Sequence, residues 1–385
     1  MKRTKLFAWL TVAFSLLPLC CKAQTYEQLW RDIDGYVRMD LPASVVSTAD
    51  KIYAKGQTER NIPQMMKAFI VRAEYRGNIA PDSLVIEKDR LKRWAETETD
   101  PLGRAVLNCI VGDMVLNSPR HDVDEAVRYF ESSLANKRML VKASAKDYYP
   151  MTNSGWLSKK YFGDSMFDLL ARQAIRSLSS ASRFDSMPEQ EAAFSFYDDL
   201  IAHYESVGDR TAAFLCKESK LVFRYENMGI FKKYQSTVNE KVSELLSLAS
   251  QYKGLPVCAD AYLKAASYCL NAGNKVKAVE VAQQGLKEYP KGEWTADLRK
   301  VMDNVKHAEI TVSIPFIYPE RDTEVKVSFA NVTDVTLELY RLNLSPASKA
   351  LSEDNWSSLL KKYGSKVASR KYSLTPSADY SRQDT

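Results

Sequence analysis

Residues 259–290 read ADAYLKAASYCLNAGNKVKAVEVAQQGLKEYP, and their spacing decides the fold. Tyr262, Ala265, Ala266 and Cys269 recur at helical intervals. Gly273 then interrupts the period, and Ala278, Ala282 and Gly285 resume it before Pro290. Two helices that face each other through small residues can approach closely, and a glycine turn lets the chain reverse between them. The stretch is therefore expected to be an antiparallel helical hairpin.

Counted as one ~34-residue unit, the hairpin resembles a tetratricopeptide (TPR) repeat, with bulky, small and turn residues where that packing needs them. Phe196 to Leu221 repeats the pattern more loosely through Tyr197, Leu200, Ile201 and Tyr204, then Gly208 and Ala213. Asp124 to Leu134 resembles a second repeat helix through Ala126, Tyr129, Phe130 and Leu134. A lone repeat cannot bury its apolar face, so neighbours must stack. The expected fold class is mainly α, a TPR-like helical-hairpin solenoid over residues 24–307. In TPR domains that clamp an acidic peptide end, a lysine and an asparagine stand on the first helix. The matching positions here hold Leu263 and Ser267, so that clamp is absent.

Further stripes lie upstream. Tyr26, Leu29, Trp30, Ile33 and Val37 mark one amphipathic face. Pro42 fits a helix start ahead of Val45, Ala49 and Ile52, and Pro63 opens a helix carrying Met66, Phe69 and Ile70. Asp100-Pro101 reads as a cap and first-turn proline before Leu102, Val106 and Ile110. Residues 177–188, with five serines in twelve positions, are the expected internal loop between two halves. Lys137 to Phe162 reads as a long inter-helix connection. The last helix carries Trp294, Leu298, Val301, Met302 and Val305.

After His307 the apolar period falls from 3.6 to 2. Ile310, Val312, Ile314 and Phe316 alternate with polar residues, as do Val325, Val327 and Phe329, and then Val335, Leu337 and Leu339. Tyr318-Pro319-Glu320 and Asn331 to Asp334 supply the turns. Leu359, Leu360 and Tyr363 suggest a short helix, and Lys371 to Leu374 another strand. A sandwich of immunoglobulin type needs about seven strands over ~100 residues. Only 78 residues follow His307. Residues 308–385 are thus expected to form an incomplete, half-buried antiparallel β-sandwich, and the chain to stop inside a domain.

The whole chain has 385 residues, 45% hydrophobic and 26% charged, the balance of a folded protein of two or three domains. Residues 1–23 carry three early basic residues, the apolar run Leu6 to Leu19 and the small-residue site Cys21-Lys22-Ala23. This reads as a secretory signal peptide with cleavage between Ala23 and Gln24, and the run is short of the ~20 residues a bilayer crossing requires. Export is expected, with no transmembrane span in the mature chain. Removing the segment leaves 50 basic against 48 acidic residues, so the formal +6 gives no pull on phosphate and no nucleic-acid partner is expected. Cys109, Cys216, Cys258 and Cys269 remain. All lie among apolar neighbours, and Cys258 and Cys269 are eleven residues apart on one helix, roughly 16 Å along its axis. Buried thiols are expected rather than disulfides.

Chemistry is sparse. His121, His203 and His307 are far apart and form no pair that would set two imidazoles on one helical face. The run His121-Asp122-Val123-Asp124-Glu125 precedes an apolar helix, where acids cap free amides and meet the positive helix end. There is no glycine-rich phosphate loop, no G-x-S-x-G and no cysteine pair at metal spacing. No catalytic residue, metal ligand or cofactor is assigned. The 41 aromatic residues are expected to fill helical cores.

Several segments together carry a family resemblance. Tyr26-Glu27-Gln28-Leu29-Trp30, Asp40-Leu41-Pro42, Ile52-Tyr53-Ala54-Lys55 and Pro63-Gln64-Met65-Met66-Lys67-Ala68 are similar to the N-terminal helical region of large exported bacterial alpha-2-macroglobulin-like proteins. The likeness continues through Ser165 to Ala171, Tyr197 to Leu200, the strands around Phe329 to Leu342, and Asp379-Tyr380. It implies a helical domain followed by the first macroglobulin-type β-sandwich of a longer protein. In that family a bait segment is cleaved and the molecule traps the protease, in many members through a thioester at a C-x-E-Q sequence. The nearest stretch here is Cys216-Lys217-Glu218-Ser219, which lacks the carboxamide. The resemblance therefore implies a non-catalytic scaffold associated with endopeptidase inhibition, with trapping carried by other regions. Its partners would be proteases, engaged through the parent protein, or envelope proteins. The alternative is a stand-alone exported TPR adaptor that grips peptides or proteins.

Overall fold

The computed structural model describes residues 24–118, 122–152, 161–181, 187–314, 324–343 and 356–385. It is mainly helical, with a few antiparallel strands towards the C-terminus. The described residues fall into two compact units, one ending at His203 and the other beginning at Tyr204.

In the first unit, α1 (Tyr26–Arg38), α2 (Pro42–Glu59) and α3 (Ile62–Ile79) form successive hairpins. Thr25 closes a capping box with Gln28; Pro42 occupies the first turn of α2 and Pro63 that of α3, as expected for both prolines. Leu29, Ile33, Val45, Ala49, Ile52 and Ala68 bury one common face, with Trp30 and Tyr53 against it. On α4 (Ser83–Thr97), Trp94 stands edge-on to Tyr53, with centroids 5.8 Å apart and planes at 83°. On α5 (Pro101–Leu116), Asp100 Oδ2 accepts the Gly103 amide at 2.6 Å. α6 (Val123–Leu134) packs on α5 with Phe130 fully buried over Gly112, where an added Cβ would come within 2.9 Å of the ring.

Two expectations are corrected in this unit. The stretch after Lys137 is not a bare connection: α7 (Lys137–Lys142), capped by Asn136, and a 3₁₀ turn at Ala145–Tyr148 lie within it, with Leu140 and Tyr148 buried. The expected loop at 177–188 is also mostly helical where described. α8 (Met166–Ala181) runs through Ser177, Ser179 and Ser180, and α9 (Met187–Ser206) begins at Met187, while 182–186 lie outside the described residues. The serine hydroxyls stay satisfied inside the helix. Ser177 donates to Asp113 Oδ1 at 2.5 Å, Ser179 to the Ile175 carbonyl at 2.6 Å and Ser180 to that of Ser177 at 3.1 Å.

In the second unit, Gly208 takes φ +73° ahead of α10 (Arg210–Phe223), which ends in a π-helical turn at Arg224–Met228. α11 (Val238–Gln251) starts from a Thr237–Glu240 capping box. The hairpin read from residues 259–290 is α12 (Ala259–Asn271) and α13 (Lys275–Glu288). Gly273 makes its turn at φ +77°, a backbone region that disfavours side chains with a Cβ. At Gly285 an added Cβ would stand 2.7 Å from Tyr262 Cβ, so the two helices approach as closely as glycine allows. α14 (Thr295–Lys306) covers the pair with Leu298, Val301 and Val305. Cys109, Cys216, Cys258 and Cys269 are buried, and no disulfide forms among the described residues.

The strands form two small antiparallel sheets. β1 (Glu309–Ser313), β2 (Lys326–Ala330) and β5 (Gln383–Asp384) lie in the order β1-β2-β5, with Ile310 opposite Phe329 and Val312 opposite Val327. β3 (Asp334–Leu342) pairs with β4 (Gly364–Ser373), which follows the short helix α15 (Trp356–Tyr363). The half-buried pattern expected from alternation holds for β2, where Val327 and Phe329 are buried, and for the first half of β3, where Val335 and Leu337 are half-buried between exposed Thr336 and Glu338; it breaks at Leu339, which is exposed. β1 is exposed throughout, because no described element covers its apolar face. Asn331 Nδ2 donates to the carbonyls of Val305 and His307, fixing the β2–β3 turn to the end of α14. Phe316 and the expected turn at Tyr318 to Glu320 fall outside the described residues.

Candidate functional site

The residues singled out in the sequence do not converge. Ala23 and His121 lie outside the described residues, and Gln24 is exposed, its amide 3.3 Å from Asp32 Oδ2. Asp122 caps α6 by accepting the Glu125 amide at 2.8 Å, while Glu125 pairs with Lys92, so the acidic run has a capping role. His203 and His307 belong to different units, the first buried and the second exposed. Burial lowers the pKa of His203 despite the opposing pull of Asp168. Ser165, Asp168 and His203 are the residue types of a hydrolytic triad. Yet the Ser165 hydroxyl donates directly to Asp168 Oδ2 at 2.5 Å and accepts the Asp168 amide at 3.1 Å. That is a helix cap; a triad requires the imidazole between serine and acid. Cys216 to Ser219 lie within α10, with Cys216 and Glu218 buried. Among the described residues no group of His, Cys, Asp and Glu is arranged to hold a metal, and no helix is long and apolar enough to cross a membrane.

What the structure does bring together was not visible as a motif. Glu87 on α4, only 3% exposed, receives Arg76 Nη1 at 2.8 Å, Arg90 Nη1 at 3.0 Å and Arg72 Nη2 at 3.1 Å. Asp50 on α2 takes a second contact from Arg72 and from Arg76. Burial alone would raise the Glu87 pKa, but hydrogen bonds from Arg76 and Arg72 and the charges of Arg72 and Arg90 outweigh it and lower it. In the second unit Lys264 Nζ on α12 bridges Glu218 Oε2 at 2.6 Å and Asp260 Oδ2 at 2.7 Å. Glu218 is fully buried, and its other oxygen has no hydrogen-bond partner. Both acids could have been suspected from register. Glu87 shares a helix face with Leu91 and Ala95, and Glu218 with Phe214, so each is a charge set into an apolar stripe.

Burial pushes the Glu218 carboxyl up to about 8; nearby Asp260 reinforces the shift, and Lys264 offsets part of it. The folded state then holds a proton that the unfolded chain, near 4.5, has released. Its contribution is full at low pH and is lost as pH rises between those values, at up to about 1.4 kcal/mol per pH unit. The urea midpoint of the second unit is expected to fall across that window. Glu218→Gln should flatten this slope, and an unchanged slope in the variant would refute the assignment.

Among the described residues of the second unit, two cavities stand out. One of about 350 Å³ lies between the α9–α10 turn and the end of α11, against Tyr252. The other, of about 450 Å³, lies beside the π-helical turn at Tyr225 and the start of α11. The second holds the Thr237 hydroxyl, which donates to Glu240 Oε2 at 2.9 Å within the α11 capping box, and both cavities are lined by aromatic and charged side chains suited to non-covalent contact. No model of a known protein family matches the chain, and no characterised protein is similar to it at a significant level.

Proposed function

We propose that the chain is a non-catalytic, protein-binding helical scaffold. In this reading it is the N-terminal part of an alpha-2-macroglobulin-like protein exported to a bacterial envelope and associated with endopeptidase inhibition. The observation that carries the binding role is the close-packed hairpin of α12 and α13 with α14 over it, a repeat geometry built to present surface rather than to enclose reactants. The narrower assignment draws on the resembling segments. Several of them supply core residues of the helical units: Leu29, Ile52, Met66, Ala68, Phe167, Leu170 and Leu200 are all buried. A stand-alone exported adaptor is the second reading, favoured by the charged cavity beside Tyr252.

The two readings differ in the size of the native polypeptide. An antibody raised against this chain, used to blot fractionated cells of the source organism, should detect an envelope protein much larger than the 43.6 kDa that 385 residues account for. A native band of about that size or smaller would favour the adaptor. A band confined to the cytosolic fraction would contradict export in either form.

A further inference from the structure

We propose that the cavity beside Tyr252 is a carboxylate-binding pocket that takes an acidic group on an extended segment of a protein partner. The inference rests on the protein-binding reading and gives it a chemical address. Its walls come from the end of α9, the first two turns of α10 and the end of α11. The Arg210 guanidinium carbon stands 5.7 Å from the centre of the Tyr252 ring, and Lys217 Nζ stands 5.3 Å from it, so one aromatic ring supports two cations. Lys217 is committed to Glu205 at 2.6 Å. Arg210 is not committed: its guanidinium forms no hydrogen bond or ion pair with a described residue, and its neighbour Asp209 spends its carboxylate on the Ala212 amide at 3.0 Å.

A guanidinium held over an aromatic ring loses little freedom when it binds, and its fork of N–H donors matches the two oxygens of one carboxylate. Arg210 and Lys217 against Glu205 leave the lining one net positive charge, which a single carboxylate neutralises. Tyr204 and Tyr252, both buried, form an apolar floor for the adjoining methylene or backbone of the ligand. The site is distinct from Leu263 and Ser267 on α12, which replace the clamp residues of acid-binding TPR domains. The acidic group could be a side chain or a chain end, since both present the same two oxygens.

The test uses the full mature chain and three fluorescein-labelled peptides in anisotropy titrations at low ionic strength. One peptide alternates Asp and Gly with both ends blocked, one replaces Asp by Asn, and one is the Asn peptide with a free C-terminal carboxylate. At least one carboxylate-bearing peptide should bind about tenfold or more tightly than the blocked Asn peptide, and which one does so identifies the source of the group. Arg210→Gln should abolish that preference and Lys217→Gln should weaken it. Lys277→Gln, which removes an exposed cation on α13, should leave it unchanged. Equal binding of all three peptides, or a preference that survives Arg210→Gln, would overturn the pocket. A native partner still captured by Arg210→Gln would sink the pocket and leave the scaffold reading standing.

Discussion

Glu87→Ala is expected to lower the stability of the first unit by about 3–5 kcal/mol, the cost of removing one partner from a buried ion pair. Arg72 is itself only 8% exposed and would keep its charge with Asp50 alone as counter-ion, on the edge of the network. Its guanidinium lies 4.7 Å from the Phe69 ring centre and 5.2 Å from that of Tyr53, so it has no route to water without disturbing the α2–α3–α4 packing. The control is Glu27→Ala. That residue pairs with Arg31 across one turn of α1, with both side chains mostly exposed, and its loss should cost under about 1 kcal/mol. Urea titration followed by circular dichroism checks both. Two units can unfold in two steps, so the effect should appear in the transition of the first unit alone. Equal effects from the two variants would mean that the Glu87 network contributes no more than a surface pair.

Phe130→Ala should cost about as much, 3–5 kcal/mol, through a different mechanism. The ring is fully buried and fills the space that Gly112 leaves on α5, so truncation opens a cavity between α5 and α6. Filling the space from the other side is expected to compensate in part. Gly112→Ala, which would collide with the ring in the native protein, should be less harmful in the Phe130→Ala background than alone. A double-mutant cycle measures that coupling directly, and additive effects would contradict the contact.

The sequence was most legible where small residues carry the packing. Gly285 and Ala282 on one helix and Ala265 and Ala266 on the other mark a close approach because little else explains their period. Proline and aspartate were equally clear at the starts of α2, α3 and α5, since their local chemistry determines the backbone there. α4 was not legible. Its first turn shows Leu84, Val85 and Ile86 to solvent while its core face includes Glu87, so polarity and burial are inverted over that turn. The serines of α8 misled for a related reason: they favour loops only when the helix cannot satisfy their hydroxyls, and here Asp113 and preceding carbonyls do so. In the strands, alternation gave the period throughout, but the burial only in β2 and the first half of β3 and not in β1. Period is local, whereas burial depends on what covers the face. The cavity beside Tyr252 had no linear signature, because Arg210, Lys217 and Tyr252 meet only once α10 and α11 are folded.

Hydrogen–deuterium exchange on the full chain, resolved to peptides, tests the central claim that stacked helical hairpins hold this protein together. The slowest amides should lie in α2, α3 and α5 of the first unit and in α12 and α13 of the second, with β1 and the β3–β4 ribbon exchanging much faster. Rapid exchange throughout residues 259–288, with the slowest amides in the strands after His307, would contradict it.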